Sequence, residues 1–163
     1  MILTKLTYIE LFVSVMYLGK IKYAPGTFGS IAAFAVFLLP SHTIWYISLI
    51  LAIVLTFLSL QYIGIYEKIH GDDHPSIVID EVIGMLICFS NPYLIHNVFW
   101  LSLTLIMFRT FDILKPYPIN KINQKKGAFF VIADDILAGT ISLLIVQILQ
   151  IGYGILPIFL LFY

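Results

Sequence analysis

Two doublets of adjacent acids, Asp80-Glu81 and Asp134-Asp135, each stand at the head of a long uncharged stretch, and Arg109, Asp112 and Lys115 close another at spacings of three residues. Carboxylates are the hard oxygen donors magnesium takes, a few of them sharing a near-octahedral shell with water and substrate phosphate oxygens. Arginine offers a planar fork that matches phosphate oxygens, and lysine a compact point charge. Together these residue types describe a divalent-metal and phosphate site, with Asp80, Glu81, Asp134 and Asp135 as metal-ligand candidates and Arg109, Asp112 and Lys115 along the end of a helix. Carboxylates gathered this closely repel one another unless a cation joins them. Successive helical residues point about 100° apart, so within each doublet one acid faces the metal and the other a neighbouring partner; the sequence leaves open which.

Each feature also has a plainer account. Acids favour helix starts, where the helix dipole is positive, and Gly84 and Gly139, one turn on, let helices pack closely in lipid. Arg109 and Lys115 can snorkel to an interface, with Asp112 as an ordinary i,i+3 partner. A glycine-bearing turn, Ala24-Pro25-Gly26-Thr27-Phe28-Gly29-Ser30, runs into a helix whose free N–H groups attract anions. Gly26, Thr27 and Ser30 are therefore candidate phosphate contacts, while Thr27 also suits a plain N-cap. His74, between Asp73 and Pro75, suits proton transfer or a solvated loop equally. No serine, histidine and acid trio and no Cys-x5-Arg cradle occurs in the chain.

The elements that must position these groups are apolar helices. The chain is 61% hydrophobic and 11% charged, against roughly a quarter charged in soluble domains. No charge falls at 23–66, 82–108 or 136–163, and each run exceeds the ~18 residues that mark a membrane-spanning candidate. A net charge of zero gives no electrostatic footprint for nucleic acid. The single cysteine, Cys88, lies in an apolar run and reads as a small buried hydrophobe.

The expected architecture is all-α, a small polytopic membrane bundle of about five membrane-inserted helices behind an N-terminal amphipathic helix. One domain is expected over 1–163: an interfacial helix at 1–18, a catalytic bundle at 19–151 and an apolar tail at 152–163. The inserted helices are expected from Thr27 to Leu39, Ile44 to Tyr66, Ser76 to Ser90, Asn97 to Leu114 and Ala133 to Ile151, with turns at Leu39-Pro40-Ser41-His42 and Asn91-Pro92. Lysines and Arg109 fall at one set of helix ends and only His42 and His96 at the other, so the positive-inside rule puts the charged face in the cytoplasm.

Four motifs, in order, carry a family resemblance: Pro25-Gly26-Thr27-Phe28-Gly29-Ser30; Asp73 followed by Ile77-Val78-Ile79-Asp80-Glu81-Val82-Ile83-Gly84; Phe108-Arg109-Thr110-Phe111-Asp112-Ile113-Leu114-Lys115-Pro116-Tyr117-Pro118-Ile119; and Asp134-Asp135-Ile136-Leu137-Ala138-Gly139. The chain resembles the phosphatidylglycerophosphatase A family from about Gly19 to Gly139. The resemblance implies a multi-pass enzyme of the bacterial inner membrane, its site facing the cytoplasm. It implies magnesium-dependent removal of the terminal phosphate of phosphatidylglycerophosphate to leave phosphatidylglycerol. It maps the acidic motif positions onto Asp80, Glu81, Asp134 and Asp135, and the Arg-x-x-Asp-x-x-Lys-Pro stretch onto Arg109, Asp112 and Lys115. Water is the expected nucleophile, with an aspartyl-phosphate through Asp80 or Asp112 as its rival. A different class of function, a divalent-cation transporter or channel, would also use clustered acids, although transport sites usually lie near the bilayer midplane. Oligomeric state is not legible.

Overall fold

The computed structural model describes residues 2–37, 44–92, 94 and 98–160. Among these the chain is all-helical: α1 (Ile2–Val13), a 3-10 turn (Leu18–Lys20), α2 (Pro25–Phe37), α3 (Ile44–His70), α4 (Ile79–Phe89), α5 (Val98–Leu114), α6 (Ile119–Asn123) and α7 (Ala128–Leu160). The expected turn at Leu39 to His42, and His96, lie outside the described residues.

The shortest of the five bundle helices that form is the centre of the fold. Helix α4 buries Ile79, Asp80, Ile83, Gly84, Met85, Leu86, Cys88 and Phe89, and α2, α3, α5 and α7 all pack against it. A helix apolar on every side is stable only when surrounded, which is what its neighbours provide. The tightest crossing is with α7: a Cβ added to Gly139 would sit 2.5 Å from the Gly84 carbonyl oxygen and 3.2 Å from its Cα. The two glycines are therefore a backbone-to-backbone contact. Each follows an acid by four residues, Asp80 before Gly84 and Asp135 before Gly139, so their contact draws the two doublets together.

All five expected bundle helices form, and among the described residues two are long and apolar enough to cross a bilayer, over Trp45–His70 and Ala128–Gly154. Helices α2, α4 and α5, of 13, 11 and 17 residues, reach only about 20, 17 and 26 Å, short of a hydrocarbon core of about 30 Å. Apolar side chains face outward on α3, among them Ile50, Val54 and Phe57, and on α5, among them Val98, Phe99 and Ile106. Helix α1 does more than lie along the bundle, since Ile9 and Val13 are buried in a cluster with Ile63 and Tyr66 of α3.

Several boundaries differ from expectation. Helix α7 begins at Ala128, directly after Gly127 in a left-handed backbone (φ 106°). Because the apolar Ala128-Phe129-Phe130-Val131-Ile132 offers nothing to delay it, Asp134 and Asp135 stand in its second turn, not its first. The tail expected beyond Ile151 is helix through Leu160, the apolar run outweighing Gly152, Gly154 and Pro157. Helix α2 starts at Pro25, the position where a missing N–H costs nothing, so Thr27 is inside the helix and is not its N-cap. Helix α6 was not expected; it anchors through Ile119, which is fully buried.

Candidate active site

Four pieces of chain converge on one cavity of about 280 Å³: the start of α2 (Pro25, Gly26), the loop into α4 (Asp73, His74, Pro75, Ile77) with that helix's first turn (Asp80, Glu81), the end of α5 and the residue after it (Asp112, Lys115), and the first turns of α7 (Val131, Asp134, Asp135). Its lining holds six carboxylates and one ammonium.

Asp80, Glu81 and Asp135 present carboxylate oxygens that all lie within 4.8 Å of one another. Glu81 Oε2 is buried without a hydrogen-bond partner. An orphaned buried oxygen is costly, and it points to a cation as the missing partner. A side chain at Gly26 would occupy the space of the Glu81 carboxylate, so glycine there leaves room for the trio. These residues fit a small divalent ion held by oxygen. Of the four expected metal ligands the fold groups three; Asp134 instead pairs with Lys115 Nζ, which also donates to Asn123 Oδ1 at 2.6 Å.

Arg109 spans the gap between acids and hydroxyls. Its Nη1 donates to Asp112 Oδ2 at 2.5 Å and to Ser30 Oγ at 3.3 Å, and lies 3.9 Å from Glu81 Oε1; its Nη2 donates to Thr27 Oγ1 at 3.4 Å. Its Nε is buried and unpartnered. Thr27 and Ser30 thus meet the guanidinium, and Gly26 meets Glu81. Lys115 does not continue the helical face of Arg109 and Asp112: it follows the end of α5 with a φ of 43°, which turns it toward α7. Burial alone would lower its pKa, but the Asp134 carboxylate outweighs that and raises it above the ordinary lysine value.

Asp72 pairs outside the cavity with Lys126 at 2.8 Å. His74 lines the cavity, and its Nδ1 accepts the Ser76 N–H at 3.2 Å. Sequence reasoning missed Asn123 and Glu67. The latter is buried and accepts the Asp73 N–H at 3.0 Å, fixing the loop that carries Asp73 and His74. Neither has a spacing signal, because each acts through a tertiary contact.

A set of carboxylates within reach of one cation, flanked by a guanidinium and an ammonium, is the arrangement phosphoryl chemistry needs. The family model described as phosphatidylglycerophosphatase A matches residues 11–150. The chain belongs to the phosphatidylglycerophosphatase A family. It is accordingly an enzyme, a phosphatase. Among relatives, a phosphatidylglycerophosphatase A of Haemophilus influenzae is 35% identical over 143 residues, 81% of this chain and 82% of its own. The phosphatidylglycerophosphatase A of Escherichia coli is 32% identical over 133 residues, 76% of this chain and 73% of its own. A Bacteroides thetaiotaomicron protein, provisionally named a phosphatidylinositol-3-phosphatase, is 30% identical over 136 residues, 80% of this chain and 86% of its own. No solved structure matches the chain.

Proposed function

We propose that this phosphatidylglycerophosphatase A family member hydrolyses the terminal phosphomonoester of phosphatidylglycerophosphate, with magnesium, at the cytoplasmic face of a bacterial inner membrane. The observation that carries this reading is the grouping of Asp80, Glu81 and Asp135 in the cavity that Lys115 also lines, with Arg109 3.9 Å from Glu81. Helices α2 to α5 and α7 are the five that enter the bilayer in this reading, the short ones ending where a lipid phosphate lies. The basic residues around α2, after α3 and between α5 and α7 favour the cytoplasm for that end.

Asp80, Glu81 and Asp135 would hold the metal. A bound magnesium ion supplies Lewis acidity, drawing charge from the phosphoryl group and making water a better nucleophile. Arg109, oriented by Thr27 and Ser30, takes phosphate oxygens in its fork, and Lys115 supports the developing charge beside Asp134. Hydrolysis breaks the bond between phosphorus and the glycerol oxygen and makes one from water oxygen to phosphorus; the glycerol oxygen leaves with a proton. Asp112 is held on Arg109 and Asp80 sits in the acid trio, and this prior engagement favours water over an aspartyl-phosphate. A cation pathway has less support, since the acids gather at one end of the helices.

The test is phosphate release by purified protein. Asp80→Asn and Arg109→Ala should each cost a hundredfold or more, about 3 kcal/mol of barrier, with the protein still folded. A chelator should abolish turnover and magnesium restore it; turnover indifferent to both would remove the metal. The name of the Bacteroides relative makes phosphatidylinositol 3-phosphate the competing headgroup, and faster hydrolysis of that lipid would overturn the choice made here.

A further inference from the structure

A second depression, about 490 Å³, runs between α2 and α5 and is lined by Thr27 and Ile31 on one side and by Leu105, Ile106, Arg109, Ile113 and their neighbours on the other. That volume is within the range of about 300–1,000 Å³ typical of small-molecule sites. Arg109 is its one charged lining residue. The same guanidinium bonds Asp112 at 2.5 Å and lies 3.9 Å from Glu81, both in the acid cavity. Arg109 is therefore the partition between an apolar groove and an anionic chamber.

We infer that this groove seats an acyl chain of the phospholipid substrate, delivering its phosphate-bearing end to Arg109; the inference rests on the phosphatase reading above. The charge placement selects this occupant. A hydrocarbon chain matches the apolar walls, a phosphate on its end matches the guanidinium, and the lipid need not leave the bilayer to reach the acids. Another apolar depression, lined by Tyr8, Leu11, Phe12, Val15, Met16 and Ile79, has no charged lining residue and offers a lipid phosphate nothing.

The experiment compares two substrates in detergent micelles: dioleoyl phosphatidylglycerophosphate and the same headgroup without acyl chains, glycerophosphoglycerophosphate. Ile31 and Ile106 are 44% and 60% exposed, so Ile31→Trp and Ile106→Trp fill the groove without disturbing the core. Filling the groove removes the packing contacts a bound chain would make there, which predicts a clearly raised KM for the dioleoyl substrate. Activity on the chainless substrate should not change, and Ile50→Trp on the outer face of α3 should behave as wild type. Equal losses on both substrates, or no loss on the dioleoyl lipid, overturn the groove. Wild-type protein that cleaves neither substrate would instead bring down the phosphatase reading. A second measurement judges the groove by itself: a diazirine-tagged phosphatidic acid should label the peptide containing Ile106 and Ile113, and excess dioleoyl phosphatidylglycerophosphate should displace it. Labelling that is not displaced marks bulk lipid only and overturns the inference.

Discussion

Arg109 ties three helices to one another, touching Thr27 and Ser30 on α2, Asp112 on α5 and, at longer range, Glu81 on α4. A lysine there keeps the charge but loses the fork and the geometry that lets two hydroxyls orient it. Arg109→Lys should therefore lower phosphate release by about tenfold to a hundredfold, measured as kcat/KM, while Thr27→Ala, which removes one long hydrogen bond, should cost severalfold at most. Lys115 gives a pH expectation. Because Asp134 raises its pKa despite burial, the lysine's share of the pair's stability is fully present below the ordinary lysine value of about 10.4 and fades only as pH climbs through the raised one. The stability lost in Lys115→Met should thus persist throughout the neutral range; an offset that closes there would refute the pairing. The residue types were legible from sequence because charge is rare in this chain and its spacing conspicuous. Their division of labour was not. That Asp134 pairs with a lysine while Asp135 joins Asp80 and Glu81 depends on which way α7 is turned, and α7 starts five residues before Ala133.

At the level of helices, the crossing of α4 and α7 governs the site. A methyl at position 139 would press on the Gly84 carbonyl, which is backbone and cannot rotate away. Gly139→Ala should lower stability by about 1–3 kcal/mol and reduce activity with it, read as a fall in thermal midpoint alongside phosphate release. Gly152→Ala, where an added Cβ meets nothing within 4 Å, should leave both unchanged or raise stability slightly. The existence of the long helices could be read from uncharged runs bounded by proline and charge. Their ends were less legible: Gly127 starts α7 through a left-handed backbone (φ 106°), and no periodicity announces that. The five-residue α6 is too short to leave a pattern, yet it carries the asparagine that receives Lys115.

Considered as a whole molecule, the chain separates its charges from an apolar exterior, and its orientation can be tested directly. Cys88 is 1% exposed, so it stays silent toward a membrane-impermeant thiol reagent. Lys22→Cys and Lys125→Cys, both at exposed positions, should react in inside-out vesicles and not in right-side-out ones; labelling from opposite sides would end the one-faced topology. Composition made the apolar helices legible, while the arrangement around a buried, eleven-residue α4 was not, since a short apolar segment reads alike whether it is central or peripheral. The meeting of Gly84 with Gly139 has a mechanical result. Long helices change their tilt when a bilayer thickens or thins, but Asp80 and Asp135 stand one turn, about 6 Å, from that pivot. A swing of about 5° displaces an acid so near the hinge by only about half an ångström. On the reading proposed above, the spacing of the two acids is thereby insulated from changes in the thickness of the surrounding bilayer.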